Sequence, residues 1–288
     1  MSPRGARAPG TTARRSSAWR TLDEPRFSQS LERGLAVLRC FTPERPVLGI
    51  AELSDELGME RSTLHRYAAT LVALDCLEQL SSSRKYRLGL RVIDLGMLAL
   101  NSTGLREHSH LYLAELRRHT RCSAGLAVLD RDYAVYIDRV RSFQPDADQA
   151  NHDLRSGSRV PAHCTAIGKL LLANLPEPER HERVVALKLN KHAPNTIDRK
   201  KALRKELEQI YLAELAVSDE EHAPGLYEIA VPVRGENREV LAAVDITAHD
   251  QKLVGVHIPH LFVAASEISA RMGIPWRRRD SCQQLTMP

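Results

Sequence analysis

Between Ile50 and Leu74, apolar residues recur at spacings of three and four on either side of a glycine, which predicts two short amphipathic helices joined by a tight turn. Ile50, Leu53 and Leu57 form the first stripe, and Gly58 stands where a left-handed C-terminal residue is needed. Leu64, Tyr67, Ala68, Leu71 and Leu74 mark the buried face of the second helix, with Ser62 as its expected N-cap. The outer face of that helix offers Ser62, Thr63, His65, Arg66 and Thr70, side chains that can read base edges in a major groove. An ordinary helical hairpin with a solvated outer face has the same pattern, so the downstream sequence has to separate the two. Short runs from Leu77 to Leu80 and from Tyr86 to Leu88 flank a polar turn carrying Arg84 and Lys85, which predicts a β-hairpin with a basic tip. A helix-turn-helix followed at once by such a hairpin is a winged helix, whose tip meets phosphates or the minor groove. Upstream, Leu31, Leu35, Leu38 and Phe41 define a helix capped by Ser28 or Ser30 and ended by Pro43 and Pro46, expected to pack behind the pair.

Beyond the wing, Leu90, Ile93, Met97 and Leu100 form one apolar stripe and Leu95, Leu98 and Ala99 a second. A helix with two apolar faces needs two partners, so the segment reads as a linker helix that also packs on a second subunit, giving a homodimer or a dimer of dimers. Burial within one subunit is the alternative. From Arg106 the texture becomes α+β: a helix from about Ser109 to Thr120, strands Gly125 to Leu129 and Tyr133 to Val140, a long polar loop, then helices at Cys164 to Asn174, Pro176 to Leu187 and Asp198 to Leu212. Strands Tyr227 to Val233 and Val240 to Thr247 and a helix near Leu253 to Met272 close the chain. Hairpin-paired strands with helices outside them suggest an antiparallel sheet with a cavity between sheet and loops.

With 288 residues, 43% of them hydrophobic, the chain can bury two cores. No run approaches a membrane span and the first 25 residues lack the apolar centre of a signal peptide, so a cytoplasmic protein without membrane contact is expected. Five cysteines without metal-type pairing fit reduced thiols. The net charge of +5 collects at the ends, at Arg4, Arg7, Arg14, Arg15 and Arg20 in a Pro-, Gly- and Ser-rich segment read as disordered, and at Arg277, Arg278 and Arg279. The N-terminal arm is placed to add salt-sensitive phosphate contacts; a solvated tail without a role is the alternative.

The chain resembles the IclR-type bacterial transcriptional regulators. The resemblance rests on SLERGLAVL from Ser30, ERSTLHRYAATL from Glu60, YRLGLRVIDLG from Tyr86, AVLDRDYAVYIDRV from Ala127, RVPAHCTAIGKLLLA from Arg159, DEEHAPGLYEIAVPV from Asp219 and VLAAVDI from Val240, in this order. It implies a winged helix, a dimerising linker helix and a C-terminal GAF-like domain that binds a small effector, in a regulator of a catabolic operon with double-stranded operator DNA and, as a further possibility, RNA polymerase as partners. The stretches VRSFQPD, LRSGSRVPAHCTAIGK and APNTI look most like the branch that regulates aromatic-acid catabolism through the β-ketoadipate pathway. The expected division is a basic tail at 1–26, the winged helix at 27–89, the linker at 90–105, the effector domain at 106–275 and a tail at 276–288.

By position, the resemblance implies an effector pocket at the turn before Cys164, around Ser218 to Glu221, near Glu228, and at Asp245 and Thr247. Physical chemistry supports the first of these. Free N–H groups at the start of a helix from Cys164 through Thr165 and Ala166 attract an anion, with His163 and Thr165 as neighbouring donors. Close helix-to-sheet packing at Gly168 is the ordinary explanation of the same motif. Asp245 and Glu228 depart from the small or neutral residues such a pocket usually has, and two carboxylates disfavour an organic-acid or aromatic-acid effector unless Arg139, His163 or a proton compensates. Two rivals remain. An enzyme would need Cys164 as nucleophile with His163, Asp130 or Asp138 assisting, and a metal sensor would use His108, His110 and His222. Neither shows a motif, so no catalytic residue, cofactor or metal ligand is assigned.

Overall fold

The computed structural model describes residues 28–102, 104–142 and 154–272. The two basic tails and most of the polar loop after Val140 lie outside the described residues. The chain divides at Ala99/Leu100 into two compact units.

In the first unit, α1 (Gln29–Arg39) begins at Ser28, whose hydroxyl accepts the Leu31 N–H at 3.4 Å. Helix α2 (Ile50–Leu57) is capped by the Glu52 carboxylate, which accepts the Gly49 N–H at 2.6 Å, and it ends at Gly58 with φ of +63°. Helix α3 (Arg61–Ala73) starts two residues earlier than expected. Glu60 has the extended backbone of an N-cap, so Ser62 lies inside the first turn. Strands β1 (Leu77–Gln79) and β2 (Tyr86–Leu88) pair antiparallel as the wing, and Leu48 adds a bridge to Tyr86. Val37, Leu48, Leu53, Leu64, Ala68 and Leu77 form the core, and at about 1.5–3 kcal/mol for each large buried apolar side chain this small core suffices to hold α3 in place.

The apolar faces of α1 and of the end of α3 differ from expectation, and the two stripes of α4 stand open. Helix α1 buries Ala36 and Val37, whereas Leu31 and Leu35 are exposed. The displaced leucines flank a groove of about 700 Å³ shared with Tyr67, Leu71 and Leu74. Leu74, past the end of α3, is also exposed. Helix α4 (Arg91–Asn101) buries no residue, and Leu90, Ile93, Leu95 and Leu98 are each more than half exposed.

The second unit opens with α5 (Leu105–Thr120), followed by β3 (Ser123–Asp130), β4 (Tyr133–Val140) and β5 (Arg159–Pro161). Helices α6 (Ala166–Ala173), α7 (Glu177–Ala186) and α8 (Lys200–Ala213) lead to β6 (Ala216–Asp219), β7 (Tyr227–Arg234) and β8 (Val240–Ala248), and α9 (Gln251–Val256) and α10 (Ile258–Arg271) complete the unit. The strands form one antiparallel sheet in the order β5-β4-β3-β8-β7-β6. The expected single closing helix is broken at His257 because Pro259, lacking an N–H, fits only the first turn of a new helix. Edge strands β5 and β6 escape the sequence pattern because three or four residues carry almost no alternation.

The two faces of the sheet differ. Leu126, Val231, Val244 and Ile246 pack with Leu113, Leu116, Leu261 and Ile268 of α5 and α10. The opposite face presents Ala127, Ala134, Ala230 and Ala243 to α6, and these small side chains leave depth for larger polar ones in the same layer. A register shift opposite Leu126 and Ala127 leaves Ile137 unpaired, so Tyr136 and Arg139 share this face although they are three residues apart.

Candidate functional site

Two sets of side chains qualify, one in each unit. On α3, Leu64, Ala68 and Leu71 are buried while Ser62, His65, Arg66 and Thr70 are exposed, so the helix turns its polar edge to solvent. Thr63 is half-buried and, with Arg66 and Thr70, lines the α1–α3 groove. Thr70 donates its hydroxyl to the Arg66 carbonyl at 2.9 Å, which leaves it as an acceptor; Ser62 donates to Glu60 at 3.4 Å. At the wing, Arg84 is exposed and takes a left-handed backbone, φ +55°, at the tip. Lys85 has an internal partner: its Nζ lies 3.1 Å from Glu52 Oε2, tying the wing to the start of α2. The Glu52 carboxyl is held below the usual carboxylate range, first by the Gly49 N–H and then by Lys85.

The second set lies on the α6 face of the sheet. Register places Asp245 opposite both Gly125 and Ala230, and Thr247 opposite Glu228. Tyr136 donates its hydroxyl to Asp245 Oδ2 at 2.7 Å, Arg139 donates to Thr247 Oγ1 at 2.9 Å, and the Arg139 guanidinium lies 3.7 Å from Asp245 and 4.5 Å from the Tyr136 ring centre. Gly125 makes this possible. A Cβ there would stand 2.5 Å from the Tyr136 ring and 2.6 Å from Asp245 Oδ1. The carboxylate of Glu228 accepts the Ala166 N–H at 2.9 Å, so the protein's own acid occupies the helix terminus expected to hold an anion. Burial, then the nearby Asp245 charge, pushes the Glu228 carboxyl up to about 8. Burial likewise raises Asp245, against the pull of Arg139 and the Tyr136 hydrogen bond.

Helix α6 begins at Ala166 rather than Cys164, because Thr165 is its N-cap and accepts the Gly168 N–H at 3.3 Å. The expected close approach at Gly168 is present as well, since a Cβ there would meet Ala162 Cα at 2.3 Å. Ser218 donates its hydroxyl to the Cys164 carbonyl at 3.3 Å. Ser218, Glu228, Asp245, Thr247, Thr165 and Ala166 thus belong to one layer of sheet and helix start. His163 and Cys164 lie beside a different neighbour, the loop carrying His192. Burial raises the Cys164 thiol to about 12, and His163 is lowered, mainly by burial.

The acids imagined as assisting Cys164 have other partners: Asp130 pairs with Arg159 at 2.5 Å, and Asp138 with His110 at 2.8 Å. With His110 so engaged, the expected rival metal set of His108, His110 and His222 is not among the groups of metal-competent donors found in the described residues. Sequence reasoning missed Tyr136, Gly125 and Lys169. Lys169 is fully buried on α6 and reaches Glu221 at 2.5 Å and Glu206 at 3.1 Å. The available signal was the run of Ala, Gly, Ser and Asp on one face of strands whose other face is Leu, Val and Ile.

Comparison with known proteins matches residues 97–271 to the bacterial transcriptional regulator IclR C-terminal family and residues 30–81 to the IclR helix-turn-helix domain. The HTH-type transcriptional regulator XynR of Escherichia coli K12 is 32% identical over 219 residues, covering 76% of this chain and 85% of that protein. The Pca regulon regulatory protein of Pseudomonas putida is 29% identical over 262 residues, covering 91% and 86%. Among solved structures, an IclR homologue from Microbacterium hydrocarbonoxydans complexed with 4-hydroxybenzoate matches with TM-score 0.76 at 25% identity, covering 84% of this chain and 98% of that one.

Proposed function

The chain belongs to the IclR family of ligand-responsive transcriptional regulators, and on that premise we propose which residues read DNA, which bind the effector and how the chain assembles. His65 and Arg66, with Ser62 and Thr63, contact base edges in the major groove of a double-stranded operator, Thr70 accepts from the DNA, and Arg84 contacts phosphate. Lys85 joins it only by leaving Glu52. The exposed polar edge of α3 beside its buried Leu64, Ala68 and Leu71 carries this reading. The chain acts without catalysis, in the cytoplasm; no helix among the described residues is long and apolar enough to cross a membrane.

The effector binds in the layer between α6 and the sheet, where it meets Thr165, Ala166, Ser218, Glu228, Asp245 and Thr247, with His163 and Cys164 at its edge. Glu228 on the Ala166 N–H is the observation that decides the class of ligand. An aromatic or other organic acid must displace Glu228 from the Ala166 N–H and lie beside Asp245, whereas a hydroxyl-rich or cationic ligand can donate to the remaining oxygens of both with Glu228 left in place. Calorimetric titration of aromatic acids, polyols and amines tests this. The parent is expected to prefer the polyols or amines, and Asp245→Asn to bind aromatic acids better while folding and binding DNA as before. Equal affinities for every ligand on both proteins place Asp245 outside the pocket.

Assembly uses the exposed apolar side chains of α4, whose Ile93, Leu95, Met97 and Leu98, with Leu90 just before the helix, are more than a single solvated helix needs. Ile93→Asp is expected to shift a homodimer or dimer of dimers toward folded monomers by light scattering. An intact dimer in a folded variant excludes this seam. Contact with RNA polymerase and control of a catabolic operon complete the proposal.

A further inference from the structure

The donors His163, Cys164 and His192 come within 4.8 Å of one another, at the edge of the layer assigned to the effector, where Ser218 bonds the Cys164 carbonyl. We propose that they form a binding site for a borderline-soft divalent transition metal of the zinc class, with two imidazole nitrogens, one thiolate and an open fourth position. Neither the motif spacing nor the family comparison points to it; the fold brings together two adjacent residues and one nearly thirty positions away.

Three features make this a built site. The ring nitrogen Nε2 of His163 lies 3.0 Å from the Asn190 carbonyl oxygen. A carbonyl only accepts, so Nε2 carries the proton and Nδ1 keeps its lone pair, the arrangement by which a backbone oxygen orients a metal-binding histidine. The loop bearing His192 is pinned: the His192 N–H donates to Thr196 Oγ1 at 3.0 Å, and that hydroxyl lies 2.6 Å from the Glu221 carbonyl oxygen. Cys164 is a buried free thiol, available as the soft ligand.

The geometry suits the metal. Tetrahedral zinc with bonds of about 2.0–2.1 Å to nitrogen and about 2.3 Å to sulfur places its donors roughly 3.5 Å apart. Closing the present spacing takes a side-chain rotation of about 1 Å, and His192, whose side chain is exposed, can make it. His222, 6.0 Å from His192 between ring centres and with a buried Nδ1 that has no hydrogen-bond partner, stands just behind as a neighbour to the filled site. N₂S coordination with a free position favours zinc, and cobalt(II) as its spectroscopic substitute, over magnesium or calcium.

The test uses the full chain, stripped with a chelator and titrated with cobalt(II) and then zinc. One equivalent of cobalt is expected to bind with a sulfur-to-metal charge-transfer band, and zinc to bleach it. Cys164→Ser should lose that band. His192→Ala, at an exposed position and therefore safe for folding, should weaken zinc at least tenfold in competition with a chromophoric chelator, whereas His110→Ala, whose imidazole pairs with Asp138 instead, should not. Absence of the band, or unchanged zinc affinity in a His192→Ala variant with parental circular dichroism, overturns the site. Operator binding measured on the same samples reports separately on the DNA-reading assignment.

Discussion

The recognition helix and the α6 face of the sheet handle polar side chains in opposite ways. On α3 the polar residues point to solvent, and the helix is held by apolar residues on its other side, so reading and folding are divided between faces. In the sheet layer, Asp245, Glu228 and Thr247 are buried and held by Tyr136, the Ala166 N–H and Arg139, so on the proposed assignment the same atoms serve folding and ligand recognition. Substitutions on α3 should therefore change binding and leave stability alone, whereas substitutions in the layer should change both and respond to pH.

The sharpest separation is expected at Glu228. Its carboxyl titrates near 8 in the folded chain against 4.5 without the fold. Between those values the unfolded chain has lost a proton that the folded chain keeps, so the folded state binds more protons and stability falls as pH rises. The slope approaches about 1.4 kcal/mol per pH unit, a total of several kcal/mol across the window. Below about 4.5 the contribution is fully present, and above about 8 it is lost. Glu228→Gln keeps an oxygen for the Ala166 N–H but cannot ionise, so the variant should gain on the parent steadily from pH 5 to 8.5 in urea unfolding. Parallel curves for the two proteins would mean that Glu228 is ionised throughout, and the contrast with α3 would fail.

Arg66→Ala probes the other side of the comparison. Loss of one base-reading arginine should cost about 1–3 kcal/mol on the specific operator with no change in unfolding midpoint, because the side chain is exposed and the helix is fixed by Leu64, Ala68 and Leu71. A destabilised variant would show that α3 shares the coupling of folding and recognition proposed for the sheet.

The same difference explains what the sequence disclosed. The residues of α3 proposed to read DNA fall within nine positions of one helix, so periodicity alone assembles them, and even the misplaced N-cap at Ser62 leaves their face unchanged. In the sheet, Asp245 and Glu228 stood out by charge, but Tyr136 and Arg139 share a face only because Ile137 is an extra residue in β4, and strict alternation sets them opposite. His192 was invisible for a related reason: its loop reaches His163 through Asn190 and Thr196, contacts no local pattern encodes. Helix α1 was misread because leucine size was taken to mark the buried side, whereas Ala36 and Val37 are the residues it buries.

The smallest expected effect lies at the wing, where the two modes meet within adjacent residues. Arg84 is exposed at the tip, as the α3 side chains are, whereas Lys85 is engaged with Glu52, as the sheet residues are with one another. A phosphate contact contributes a salt slope of about 0.9 per charge, so Arg84→Ala should lower the slope of binding against salt by about one for specific and non-specific DNA alike. Lys85→Ala should change the slope less, because the lysine gives up Glu52 before it can meet a phosphate. The pair is about half exposed and solvent-screened, so it contributes little to stability, and the wing should stay folded in either variant. Equal slope changes for the two variants would mean that DNA displaces Glu52 at no net cost. No change in either would place the wing tip away from the DNA, leaving α3 to carry recognition alone.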